Sequence, residues 1–268
     1  MPIVLLRTVL PSSPSLVTRG VSTFTVRQCL QAQLQRGHHP SEWNPAMAPY
    51  LRGKRRTEEG SQHIFEMRTT LSHLRRALHV ASLTAAQGGQ ILFLGKSPVS
   101  LPSRSQSPYG RILETAALSC SQPWFNGDQQ SWTTGTFTNW TNYVTVASQR
   151  PSSHATSSSS YGPGTHPTTP SYLPWQTESS EPVSSYSPPS LLFAIGIQGL
   201  TQPLREAHSI GIPVIAVVDS DCNPKFADQW VDYPIPANDD SIRGHAFLCA
   251  LISHAIQEGL HTAAQSEL

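Results

Sequence analysis

The chain has 268 residues, a formal net charge of +1, 38% hydrophobic content and only 13% charged side chains. That length and apolar share allow one domain with its own core, and the near-zero charge excludes a globally basic nucleic-acid binder, so any RNA contact must rest on local patches. The four cysteines, Cys29, Cys120, Cys222 and Cys249, lack the spacing of a zinc or iron-sulfur site and read as reduced, buried thiols, and no apolar run reaches the roughly 20 residues of a membrane span.

From Met1 to Ser41 there is no acidic residue, while Arg7, Arg19, Arg27 and Arg36 are spread among Ser, Thr, Val and Leu. This is the composition of an organellar transit peptide, and arginine favours a mitochondrial over a plastid address. Residues 1–36 are therefore expected to be a leader or disordered basic arm. An α/β domain in two parts, 37–147 and 191–260, should follow, with a C-terminal tail at 261–268.

Trp43, Tyr50 and proline-punctuated turns precede Arg52, Lys54, Arg55 and Arg56, which read as a compact basic loop. Guanidinium forks match phosphate oxygens, so this loop is a candidate RNA contact, with Arg68, Arg75 and Arg76 along the next helix; a solvated surface patch would have the same composition. Phe65, Leu71, Leu74, Leu78 and Leu83 recur at helical intervals, Gly88-Gly89 ends that helix, and Gln90 to Leu94 reads as a strand. Leu94-Gly95-Lys96-Ser97 then invites a phosphate-loop reading, but the spacing fails. Gly89 is one residue too far from Gly95 and lies before the strand, and Pro98 and Pro102 oppose a helix after it. Another strand is expected around Pro123-Trp124-Phe125.

Ser, Pro, Thr and Gly make up most of Ser148 to Ser190, which cannot bury enough apolar surface to offset its chain entropy and is expected to be a disordered insertion. Leu191 to Ile197 and Ile212 to Val218 read as buried strands. Thr201 to Ser209 reads as the helix between them, with Leu204, Ala207 and Ile210 facing inward, so that the three form a right-handed parallel unit. Asp219 and Asp221 follow the second strand, where carboxylates often bind metal or do acid-base work. With no convergent histidine, lysine or second acidic motif evident, the expected role is a turn in which aspartate accepts backbone amides. Asp239 or Asp240 should cap a helix that starts near Ser241 and carries Ile242, Phe247, Leu248, Leu251, Ile252, Ala255 and Ile256. No histidine pair has metalloprotease spacing. No catalytic constellation emerges, so no enzyme, cofactor or metal is expected.

Gly211-Ile212-Pro213, Val218-Asp219, Asn223-Pro224, Tyr233-Pro234-Ile235-Pro236 and Asn238-Asp239-Asp240 together resemble the C-terminal signature of the small-subunit ribosomal protein S2 family, in its bacterial and organellar form. Gly37-His38 followed by Trp43-Asn44-Pro45-Ala46-Met47-Ala48-Pro49-Tyr50, Gly53 and Lys54 is similar to its opening motif, and Ile91 to Gly95 to its I-L-F-V-G strand. Ala116-Ala117-Leu118, Phe125-Asn126, Trp132, Gly135 and Phe137-Thr138-Asn139-Trp140 resemble its central block. The chain departs from the family at Thr134, where a glycine is usual, at Ser131, where an arginine is usual, and at Gly196, near an aspartate position. The family's charged helical hairpin is replaced by the Ser/Pro/Thr-rich insertion.

The resemblance implies a doubly wound parallel α/β fold, flavodoxin-like or Rossmann-like, and a non-enzymatic protein of the mitochondrial ribosome in the matrix. Its expected partners are small-subunit rRNA and neighbouring ribosomal proteins, with no cofactor, metal or small-molecule substrate. It makes Arg52, Lys54, Arg55, Arg56, Arg68 and Arg243 the candidates for RNA or protein contact. Trp43, Asn44, Pro45, Gly95, Asn139, Asp219, Asn238, Asp239 and Asp240 become structural motif residues, with Trp43 and Asn44 fixing the shape of their loop. The alternative is a small-molecule- or nucleotide-binding α/β protein using the crevice near Gly95 and Asp219.

Overall fold

A run of five apolar residues with no polar face is buried only when covered on both sides, and three such runs form the centre of the structure. The computed structural model describes residues 24–57, 60–95, 107–126, 132, 134–140, 187–223 and 229–266. In chain order the elements are α1 (Val26–Gln31), β1 (Leu51–Thr57), β2 (Gly60–Phe65), α2 (Met67–Ala86), β3 (Ile91–Gly95), α3 (Pro108–Ser119), β4 (Trp124–Asn126), β5 (Leu191–Ile195), α4 (Thr201–Ile210), β6 (Val214–Val218), β7 (Tyr233–Pro236) and α5 (Ile242–Ser266). A 3-10 helix spans Pro45–Tyr50.

Strands β4-β3-β5-β6-β7 lie side by side in that order, all parallel. This is a doubly wound arrangement of the flavodoxin-like kind, in which the chain steps outward on one side and then returns past the first strand. Side chains alternate across the sheet. Ile91, Phe93, Phe193, Ile195, Ile215 and Val217 face α2, α3 and α5, while Leu92, Leu94, Leu192, Ala194, Val214 and Ala216 face α4, Met47, Trp132 and Phe137. Phe93 and Phe193 meet edge to face in the first layer, centroids 5.4 Å apart.

The edge strand β7 carries two prolines whose missing N–H groups leave no donors on the outer side. The carbonyls on that side are taken up by α2. Thr70 Oγ1 donates to the Pro236 carbonyl at 2.6 Å, and His73 Nδ1 donates to that of Pro234 at 2.7 Å. The Tyr-Pro-Ile-Pro motif thus ends the sheet and seats a helix against its edge.

The structure differs from several expectations. The domain begins by Phe24 rather than at 37, because Thr25 and Gln28 form a reciprocal capping box that starts α1, and Phe24, Cys29, Ala32 and Leu34 are buried in the first core layer. The tail proposed at 261–268 is helical through Ser266, as the last turns of α5. Phe65 belongs to β2, and Leu83 and Ile210 point outward, each 40% exposed. The helix cap after β7 is neither Asp239 nor Asp240. Asn238 Oδ1 accepts from the amides of Asp240 and Ser241, and Ser241 Oγ accepts from Gly244 N at 3.2 Å. The Ser/Pro/Thr-rich insertion, apart from its last four residues, and Lys96 lie outside the described residues.

Helices α2 and α5 cross closely at Gly259, where an added Cβ would sit 2.1 Å from the Ser82 carbonyl oxygen. Backbone cannot yield there as a flexible side chain would. Gly259→Val is expected to destabilise the fold by about 1–3 kcal/mol, read as a lower denaturant midpoint; an unchanged midpoint would show that the two helices are free to part.

Candidate functional site

The basic segment is not a loop. Arg52, Lys54, Arg55 and Arg56 stand on β1, one strand of an antiparallel ribbon in which Lys54 pairs with His63, Arg55 with Gln62 and Arg56 with Ser61. All four cations are exposed. The sequence LRGKRRT has no apolar alternation, so it gives no strand signal; pairing with β2 imposes the extended form. The other edge of β2 is occupied by the segment before the ribbon, through Gly37 N to His63 O at 2.8 Å, His63 N to His38 O at 3.1 Å and Phe65 N to Gln35 O at 2.9 Å.

Trp43 and Asn44 shape the ribbon's base. The Trp43 indole stacks on His63 with centroids 4.4 Å apart, and Lys54 Nζ lies 5.9 Å from its centroid on the ribbon surface. Asn44 Oδ1 accepts from Ala46 N at 3.0 Å, which caps the 3-10 helix begun by Pro45, and Asn44 N donates to the Ser220 carbonyl at 2.8 Å. His63 is 3% exposed with both ring nitrogens unpartnered, and burial lowers its pKa.

Beside the ribbon's base a polar cavity of about 370 Å³ opens beyond the carboxyl ends of β6 and β7. Arg36, His38, His39, Gln62, Asp219 and Asp240 line it. Asp219 does accept backbone amides, from Ser220 and, at 3.0 Å, from Asp239. It also has the convergent histidine that the sequence did not reveal. His38 Nδ1 lies 3.1 Å from Asp219, and His38 Nε2 lies 3.1 Å from Asp240 and 3.8 Å from Asp221. Asp221 is braced by Gln198 Nε2 at 2.6 Å.

The electrostatics follow from this crowding. Pairing with Asp219, then with Asp240, raises the His38 pKa from 6.5 to about 11 against the opposing effect of burial, so the imidazolium is charged at neutral pH. Burial and the charges of Asp219, Asp240 and Asp221 push the Asp239 carboxyl well above its ordinary range. One ligand atom each from His38, Asp219 and Asp221 falls within 4.8 Å of the others, but a protonated imidazole has no lone pair to give a metal, so the set could hold a divalent cation only after His38 lost its proton. The same carboxylates repel phosphate, and among the described residues Gly95, at the end of β3, does not line this cavity. The acidic lining of this cavity therefore does not favour a nucleotide there.

The remaining candidates lie apart. Arg68 and Arg243 are exposed in the first turns of α2 and α5, and Arg75 and Arg76 lie over the rings of Phe24 and Tyr233. Asn139 closes a turn through its amide to Gly135 O at 2.8 Å. One organising residue had no sequence signal at all. Glu206, 4% exposed, accepts from the amides of Gly135 at 2.8 Å and Phe137 at 3.1 Å, and so ties that aromatic turn to α4.

A profile of the family described as ribosomal protein S2 matches residues 29–259. The protein called small ribosomal subunit protein uS2 in Dinoroseobacter shibae is 32% identical over 244 residues, covering 88% of this chain and 85% of its own. Proteins of the same name in Gluconobacter oxydans and Sinorhizobium medicae are each 34% identical, covering 88% of this chain and 83% and 87% of theirs. The matched region begins inside α1, in agreement with the burial of Cys29.

Removing the His38 charge would leave Asp219, Asp221 and Asp240 facing one another. His38→Gln is expected to cost about 3 kcal/mol of stability near neutral pH. Because the folded pKa is raised, the contribution is complete below about 6.5 and fades as pH climbs toward about 11. Denaturation of both proteins across this range should show a gap that narrows with rising pH; a gap that widens would refute the pairing.

Proposed function

Since the chain belongs to the ribosomal protein S2 family, we propose that it is a structural constituent of the small subunit of the mitochondrial ribosome, where it binds small-subunit rRNA and neighbouring ribosomal proteins during translation. The family is a structural one, and the protein is not an enzyme. The observation that carries the RNA reading is the ribbon: Arg52, Lys54, Arg55 and Arg56 are exposed and, among the described residues, unpaired with any carboxylate. Cations on an exposed strand, with no carboxylate partner among the described residues, are suited to phosphate oxygens, which are neutralised with release of counterions. Arg68 and Arg243 are further candidates for phosphate or protein contact. No described helix is long and apolar enough to cross a membrane.

The mitochondrial assignment rests on composition, in that the stretch ahead of the folded domain has arginine, serine and threonine but no acidic residue. The protein relatives are bacterial, so the organelle is tested separately from the ribosome. Residues 1–23 fused to a fluorescent protein are expected to enter mitochondria; fluorescence in plastids or throughout the cytosol would reject the address alone. Tagged full-length chain from an organelle lysate is expected to sediment with small-subunit rRNA at low salt, and a chain that stays at the top of the gradient would reject the ribosomal role.

A further inference from the structure

The ribbon's cations are divided between its two faces. Pairing is one to one from Gly53↔Ile64 through Thr57↔Gly60, so successive side chains of β1 alternate. Lys54 and Arg56 share the face on which Trp43 stacks against His63, and Lys54 lies over that indole. Arg55 stands on the opposite face, across from Gln62, whose Oε1 accepts from Arg36 Nε at 3.0 Å. The outer edge of β1 pairs with no other described strand. From Arg52 to Arg56 the strand is thus exposed on both faces, whereas its base is held by the pairing of Leu51 with buried Phe65 and by the bond from Glu66 N to Tyr50 O at 2.9 Å.

A strand laid flat on one nucleic-acid backbone would turn only one face to phosphate, and cations on the far face would gain little beyond a Debye length of about 8 Å at physiological salt. We propose that the ribbon enters a groove between two phosphate backbones of base-paired RNA, with Lys54 and Arg56 facing one backbone and Arg55 the other. Alternate side chains on a strand recur about every 6.6 Å, a step comparable to that between successive phosphates on one RNA strand. Lys54 and Arg56 therefore match neighbouring phosphates without bending the ribbon. The contact would follow the shape of an RNA helix rather than its sequence, because double-stranded RNA is bound mainly by backbone and 2′-hydroxyl contacts. This assignment rests on the reading of the chain as an rRNA-binding protein and specifies the form of RNA and the partition of contacts.

The test measures binding of the full chain to an in-vitro small-subunit rRNA transcript, and to a 20-base-pair RNA duplex and a single strand of equal length, as a function of salt. Each phosphate contact removed lowers the slope of log affinity against log salt by about 1. Lys54→Ala/Arg56→Ala should therefore lower it by about 2 and Arg55→Ala by about 1, with the triple variant showing the sum. Arg55→Lys should restore the slope, which a merely structural role would not predict, and circular dichroism establishes that each variant is folded. Wild type should prefer duplex to single strand. If substitutions on either face leave affinity and slope unchanged, or if the single strand binds as tightly as the duplex, the groove assignment is overturned while the ribosomal role stands. If the unaltered chain binds no small-subunit transcript, the rRNA reading falls with it.

Discussion

The position of the ribbon depends on one buried residue, Ser220, immediately after Asp219 at the end of β6. Its hydroxyl accepts from His38 N at 2.8 Å and its carbonyl from Asn44 N at 2.8 Å, so both ends of the segment that leads into the ribbon are pinned to the sheet. The approach is close enough that a Cβ on Gly37 would stand 2.8 Å from the Ser220 hydroxyl oxygen. Glycine is required there by contact, not by backbone angle. Since the same segment completes the far edge of β2, the register of the ribbon is transmitted directly from the parallel core, and the cations are presented from a rigid base.

The charge cluster at this junction has the same effect by other means. A partly buried cation and carboxylates lose hydration, and an ion pair of this kind adds little net stability over well-packed apolar groups. Breaking it, however, leaves uncompensated charge. His38 is held by Asp219, from the end of β6, and by Asp240, from the turn into α5, so three separate segments share one electrostatic arrangement. Such an arrangement penalises alternative docking of the N-terminal segment more than it deepens the native minimum, which is a means of fixing position.

What could be read from sequence divides along the same physical line. The three core strands were legible because continuous apolar runs bounded by Gly and Pro have few other solutions, and the family motifs located the turns around Asn44 and Asn238. The ribbon was not legible, since Arg52 to Arg56 alternates no apolar residue and its strand form comes from β2 alone. α1 was hidden inside a stretch whose composition fits a leader, although Thr25-Val26-Arg27-Gln28 carries a capping-box pattern and Cys29 and Leu34 sit at positions that proved buried. The meeting of His38 with Asp219 spans nearly the whole domain, and its neighbour bond, His38 to Ser220, joins residues 182 apart. No local period reports such a contact. Glu206 is similar, because a carboxylate in an amphipathic helix gives no sign that its partners are amides 69 and 71 residues away.

The net charge of +1 conceals how the charge is distributed. Around the junction, Asp219, Asp221 and Asp240 surround a single protonated histidine, while the ribbon that leaves it carries four cations with no described carboxylate partner. The carboxylates stand where amides and the His38 ring converge on the end of the sheet. A polyanion approaching the protein meets repulsion at the crevice and attraction along the strand, so orientation is selected before close contact. Overall charge is then a poor guide to partner, and the local geometry, set by Ser220 and its neighbours, is the useful one.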